Sequence, residues 1–270
     1  MRQMPAGGVH REAAMTKMRK GIAAVCFFAL AAAVGAVFLS YALIARREAI
    51  AGQLRGTAQA PSACASEQEC PAASPAPSAA PIDFAALRRR YPDIYAWLEI
   101  PGTAVDNPLL RHPADDCYYL SHNLDGSEGY PGCLFTESCD AQDFSDFNTV
   151  IYGHNMKDGT MFGGLKKYRD NTYLREHREI IIYTPAEKRV YTVFAAVVYS
   201  DAYIPARFDD SDPQARQDFL NSLGSPCGIG NQILEDAAVT PDSRIITLST
   251  CIGGQPDKRY LIEAVYTGTE

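Results

Sequence analysis

From residue 82 onward the chain alternates short apolar runs with clusters of turn residues. Runs at 95–100, 106–110, 132–136, 149–152, 179–184, 189–199, 244–250 and 259–267 are rich in β-branched and aromatic side chains, which predicts strands. Their number suggests a mainly β domain closed into a barrel. Helical spacing is rarer and predicts elements at 83–90, 161–168, 172–177 and 212–223. The last has the best start signal. Ser211 or Asp212 can cap it, Pro213 suits its first turn, and Phe219, Leu220 and Leu223 share one face.

The N-terminal part follows a different pattern. Residues 21–45 contain no charged side chain, and at about 1.5 Å per residue they can cross a hydrocarbon core of about 30 Å. This predicts a transmembrane helix. Arg2, Arg11, Lys17, Arg19 and Lys20 precede it against Glu12 alone, whereas Arg46, Arg47 and Glu48 follow. That bias places residues 1–20 in the cytoplasm and everything after the span outside the cell membrane. A cleaved signal peptide is the alternative, but its apolar region is usually only about 7 to 15 residues long. Residues 46–81 then read as an extracellular stalk, since 56–81 are dominated by Ala, Pro, Ser and Gln and bury too little to order themselves. Residues 82–270 remain for one domain with a substantial core.

Charge narrows the partners. The net charge of −7 and the lack of a basic stripe interleaved with aromatics argue against nucleic acid.

Candidate chemistry centres on Cys251. The run 244–250 stops at this cysteine, turns through Gly253, Gly254 and Pro256, and resumes as a strand opening on Arg259. A thiol and a guanidinium thus meet at one end of two neighbouring strands. A cation favours a thiolate and can stabilise an oxyanion, which suits acyl transfer through a thioester. The thiol also needs a proton shuttle. His10 precedes the span, His177 ends a charged Arg-Glu-His-Arg stretch and reads as solvated surface, and His112 and His122 are loop residues. His154 follows the apolar run 149–152 and Gly153, so a buried strand delivers it to a strand end. Tyr152 and Ser249 each precede a candidate catalytic residue by two positions and share its face, where substrate contact and plain packing are both open readings.

Asn148-Thr-Val-Ile-Tyr-Gly-His154-Asn-Met-Lys-Asp-Gly, together with Thr247-Leu-Ser-Thr-Cys251 and Arg259, resembles the class B sortases. The resemblance extends upstream through Tyr91-Pro-Asp-Ile-Tyr-Ala-Trp97 and Tyr118-Tyr-Leu-Ser-His-Asn123. It implies an eight-stranded sortase β-barrel and a cysteine transpeptidase without a cofactor or metal. Cys251 would attack a sorting signal at the C-terminus of a secreted protein, His154 would protonate the leaving amine, and Arg259 would hold the carbonyl. An amine of a peptidoglycan precursor or a pilin lysine would resolve the thioacyl enzyme. The resemblance also places Tyr203 in a wall of the substrate groove.

Two other functions use the same residues. A membrane-anchored cysteine peptidase would release its product to water, and a non-catalytic surface scaffold or receptor domain would keep Cys251 as a buried strand-end residue. Papain-like enzymes carry Cys before His, opposite to the order here. L,D-transpeptidases carry Ser-His-Gly before the Cys, where this chain has Thr-Leu-Ser-Thr. Beyond Cys26 in the apolar segment and Cys251, six cysteines remain (Cys64, Cys70, Cys117, Cys133, Cys139, Cys227), enough for three disulfides in fifteen connectivities. No Cys/His spacing resembles a tetrahedral zinc site.

Overall fold

In the computed structural model, which describes residues 82–224 and 230–269, the alternating runs pair into a ring. The strands are β1 (Ile94–Glu99), β2 (Asp106–Leu110), β3 (Leu134–Phe135), β4 (Asn148–Tyr152), β5 (Glu179–Tyr183), β6 (Lys188–Ser200), β7 (Gln232–Ile233), β8 (Ile245–Ile252) and β9 (Gln255–Thr269). The pairing order β5-β1-β2-β3-β4-β8-β9-β6 closes because β6 returns to β5. Eight strands therefore form the barrel. The short β7 adds to β6 through Ala195 and Ala196, beyond the part of β6 that β5 occupies. Pairs β2/β3 and β4/β8 are parallel, and the others are antiparallel.

Alternation along each strand divides the apolar side chains between two cores. Ile151 of β4, Ile246 and Leu248 of β8 and Ile262 of β9 fill the barrel interior. Their neighbours Val150, Ile245 and Leu261 face outward into a second cluster with Phe219 and Leu223. This explains why β4 and β8 read as nearly continuous apolar runs, since each is covered on both faces. The outer cover is helical: α4 (Ile204–Arg207) and α5 (Pro213–Leu223) lie in the connection between β6 and β7. Asp212 caps α5 by accepting from Gln214 N at 3.0 Å, and Phe219 meets Phe147 and Phe208 edge-on.

The remaining helices are α1 (Phe84–Arg90), α2 (Tyr118–Ser121), a 3-10 turn (Gly163–Arg169) and α3 (Asn171–Glu176). Asp83 caps α1 through Ala86 N at 2.8 Å, and Phe84 and Leu87, three apart, bury its inner face. Several boundaries differ from expectation. The helix expected at 161–168 begins only at Gly163, because Met161 has a φ of 49° that no right-handed helix admits. The strand expected at 132–136 shrinks to two residues, because Cys133 N bonds back to Tyr119 O and leaves the sheet. Cys251 does not end its strand: Ile252 pairs with Gln255 across a tight turn at Gly253 and Gly254, so the expected 252–258 loop is mostly strand. Among the described residues no helix is long and apolar enough to cross a membrane; the expected span at 21–45 and stalk at 46–81 lie outside them.

Candidate active site

Register brings the candidate residues together. Cys251 on β8 lies directly opposite Arg259 on β9. On the other side of β8 the parallel strand β4 pairs Tyr152 with Ser249, and Gly153 N donates to Ser249 O at 3.2 Å. Continued by two residues, this register sets His154 level with Cys251. Two further bonds fix that level: Thr250 Oγ1 donates to Gly153 O at 2.7 Å, and Asn155 Nδ2 donates to Cys251 O at 2.9 Å. The turn is close-packed at Gly153, where a Cβ would stand 2.5 Å from the Leu134 side chain and 2.7 Å from the Phe162 ring, so a larger residue would have to displace both. The thiol itself is exposed.

Each charged or titratable member has defined surroundings. Arg259 Nη1 donates to the carbonyls of Pro256 and Lys258, both at 2.9 Å, which holds the guanidinium beside the β8/β9 turn. His154 Nε2 bonds Leu120 O at 2.9 Å, and its ring lies 4.8 Å from that of Tyr130. Leu120 and Tyr130 are both exposed, so the rim beside the imidazole is apolar and aromatic.

A wall extends from this centre along the outer face of β4. Tyr152 is half-buried and stacks on Phe135 at 5.3 Å, while Ser249 beside it is buried. Tyr203, 48% exposed, donates its hydroxyl to Glu137, a carboxylate that is only 9% exposed. Burial pushes the Glu137 carboxyl up against the lowering effect of that bond. Burial likewise raises the Tyr152 hydroxyl, with further contributions from Glu137 and Asp140. Burial and the Glu137 carboxylate raise the Tyr203 hydroxyl as well, so both phenols stay protonated over the physiological range. The arrangement offers a nucleophile, an imidazole and a fixed cation at one end of the β4/β8 pair, with the Tyr152 and Tyr203 hydroxyls beside its outer face.

The sequence as a whole points the same way, because a family model described as the sortase domain matches residues 98–267. The chain belongs to the sortase family. It is 33% identical over 169 residues to sortase B of Listeria monocytogenes, a match covering 61% of this chain and 65% of that protein, slightly under two thirds of its length. Sortase B of Staphylococcus aureus is 29% identical over 170 residues, covering 62% of this chain and 67% of that one. Among solved structures, sortase B from B. anthracis superposes with a TM-score of 0.66 at 25% identity, covering 83% of this chain and 97% of that chain. A Staphylococcus aureus sortase B-substrate complex gives 0.60 at 27% identity, over 68% and 84%. These relatives place the chain in class B.

Within this sortase, the residues that touch the predicted ones were not all visible beforehand. Asn155 and Thr250 adjoin His154 and Cys251, so adjacency to a strand-end site was an available signal. Glu137, Leu120 and Tyr130 come from distant loops and had none. One expectation is corrected: His177 is not solvated surface but caps α3, stacked on Tyr173 at 4.0 Å with its Nδ1 3.1 Å from Tyr173 O. His112 and His122 stack on opposite sides of Tyr118, at 4.2 and 3.9 Å. Among the cysteines open to pairing, Cys117 and Cys139 are free thiols and Cys133 points its thiol at His122 O, 3.7 Å away. Cys64, Cys70 and Cys227 lie outside the described residues, as do His10 and Cys26.

Proposed function

We propose that this sortase is a membrane-anchored cysteine transpeptidase acting outside the cell on secreted proteins that carry a C-terminal sorting signal. The observation that carries the reading is the register itself, Cys251 opposite Arg259 with His154 brought level by β4. In the first half-reaction the Cys251 sulfur attacks the scissile carbonyl, and the Arg259 guanidinium stabilises the oxyanion. Arginine suits this role because it stays charged and presents a planar fork of donors. The adduct collapses to a thioacyl enzyme as His154 protonates the departing amine. In the second half an amine of a peptidoglycan precursor or of a pilin lysine attacks the thioester. Tyr152 and Ser249, on the face of β4 and β8 shared with His154 and Cys251, and Tyr203 beside them position the signal peptide.

The test incubates the full-length chain with sorting-signal peptides and an amine acceptor. Expected is an acyl adduct on Cys251 by mass spectrometry and an amine-dependent ligation product. Cys251→Ala should abolish both, and Arg259→Lys should lower kcat by about a hundredfold, the usual cost of losing an oxyanion donor. Cleavage that ignores the amine would instead make the chain a peptidase. No adduct with any peptide would sink the transpeptidase reading.

A further inference from the structure

A histidine that shuttles protons needs its far nitrogen occupied, because that bond decides which tautomer reacts. Here the partner comes from the end of a helix. The terminal carbonyls of a helix have no partner within it and must find donors elsewhere. In α2 Tyr118 O takes the helix's own closing bond from His122 N at 3.1 Å, and the other three find donors elsewhere: Tyr119 O accepts from Cys133 N at 3.0 Å, Ser121 O from Gly129 N at 2.6 Å, and Leu120 O from His154 Nε2 at 2.9 Å. A carbonyl can only accept. Nε2 therefore carries a proton whenever this bond is made.

The loop opposite α2 completes the enclosure. Gly129 and Cys133 tie its two ends to α2, and at Gly132, with φ 68°, a Cβ would stand 2.0 Å from Tyr119 O. The segment between is thus pressed onto the helix, and it presents the Tyr130 ring 4.8 Å from the imidazole at an angle of 57°. We propose that Leu120 O and Tyr130 form a clamp that positions His154, holding Nε2–H in place and leaving Nδ1 as the nitrogen that exchanges protons with the reaction.

The inference deepens the transpeptidase reading and rests on it for its chemical meaning. As the Cys251 sulfur attacks, Nδ1 takes the thiol proton; when the carbon–nitrogen bond of the tetrahedral adduct breaks, that proton passes to the leaving nitrogen, while the other proton stays on Nε2, donated to Leu120 O. When the second amine attacks, the bare Nδ1 takes the proton that amine loses. Tyr130 is a positioning residue in this scheme, since it touches the imidazole and not the reacting atoms.

Nitrogen-15 spectra of the full-length chain labelled at histidine test the clamp directly, with His154 signals assigned by subtracting the His154→Gln spectrum. For the neutral ring the expected result is a protonated Nε2 and a bare Nδ1. Tyr130→Ala should mix the tautomers and lower kcat by about ten- to a hundredfold with little change in KM, as for a misplaced catalytic group. Tyr130→Phe should restore both. A wild-type ring protonated on Nδ1 alone, or a Tyr130→Ala variant with unaltered tautomer and kcat, would overturn the proposal. The spectra need no turnover, so a chain that cleaves no peptide would count against the transpeptidase reading while the tautomer still decides the clamp.

Discussion

Glu263 carries a carboxyl group enclosed in the sheet. It sits on the outer face of β9 with no exposed surface, and burial pushes its carboxyl up to about 8, against the lowering effect of the Thr247 hydroxyl. Thr247 Oγ1 lies 2.8 Å from Glu263 Oε2 and 2.9 Å from Asn148 Oδ1. A hydroxyl has one proton, so a neutral Glu263 donating to Thr247 lets that proton go on to Asn148. The consequence for stability has a definite sign. Between the ordinary value of 4.5 and about 8 the folded chain keeps a proton that the unfolded chain has lost. The stabilising neutral form is fully present below that window, and its contribution is lost across it as pH rises, by at most about 1.4 kcal/mol per pH unit. Glu263→Gln keeps the shape and the donor without the titration. Denaturation midpoints between pH 5 and 9 should therefore fall for wild type relative to Glu263→Gln and then run parallel above the window; parallel curves throughout would refute the account. Nothing in the sequence marked this residue, because an isolated Glu in a β run reads as an outward, solvated position until the helices covering β9 are known.

At the scale of elements, runs of five residues or more were legible, except that the 15-residue β9, expected at 259–267, starts four residues earlier because the turn at Gly253 and Gly254 pairs Ile252 with Gln255. The 13-residue β6 and the 11-residue α5 were placed within a residue or so, because a long run repeats its period several times. The two-residue β3 and β7 and the four-residue α2 and α4 carry no measurable period, and tertiary bonds alone define them. This distinction matters for function, since α2 supplies the carbonyl facing His154 and α4 begins just after Tyr203. Helix α5 is the cover that supports the Tyr203 segment, and its contribution divides into two parts. Its cap is local, so Asp212→Ala should cost about 1 kcal/mol. Its anchor is not: Phe219, 1% exposed between Phe147 and Phe208, should cost about 3 to 5 kcal/mol as Phe219→Ala. Chemical denaturation would check both values. Equal costs for the two variants would mean that the outer cluster does not depend on α5 packing.

For the molecule as a whole, the sequence told which residues face a core but not which strands neighbour one another. The parallel pairing of β4 with β8 joins segments about a hundred positions apart, with Asn148 opposite Ile245, and no periodicity encodes such a partner. The proximity of His154 to Cys251 was inferred from two strand ends and needed that pairing to become geometry. Attachment to a membrane is the remaining whole-molecule question, and here the physical argument is in the sequence. A 25-residue uncharged segment at 21–45 would span about 37 Å as a helix, more than the hydrocarbon thickness. Five basic residues against one acidic residue before it favour a cytoplasmic N-terminus. In cells expressing the full chain, the protein should sediment with membranes, resist carbonate extraction and dissolve in detergent. Protease added to intact protoplasts should degrade the catalytic domain and spare an N-terminal tag. Replacing Lys17, Arg19 and Lys20 by glutamate removes most of the bias and should produce a population with the opposite protection, because orientation follows the balance of basic residues flanking the span. A wild-type catalytic domain protected from the added protease, or a chain recovered in the culture medium without its first 45 residues, would show that the segment does not anchor an external transpeptidase.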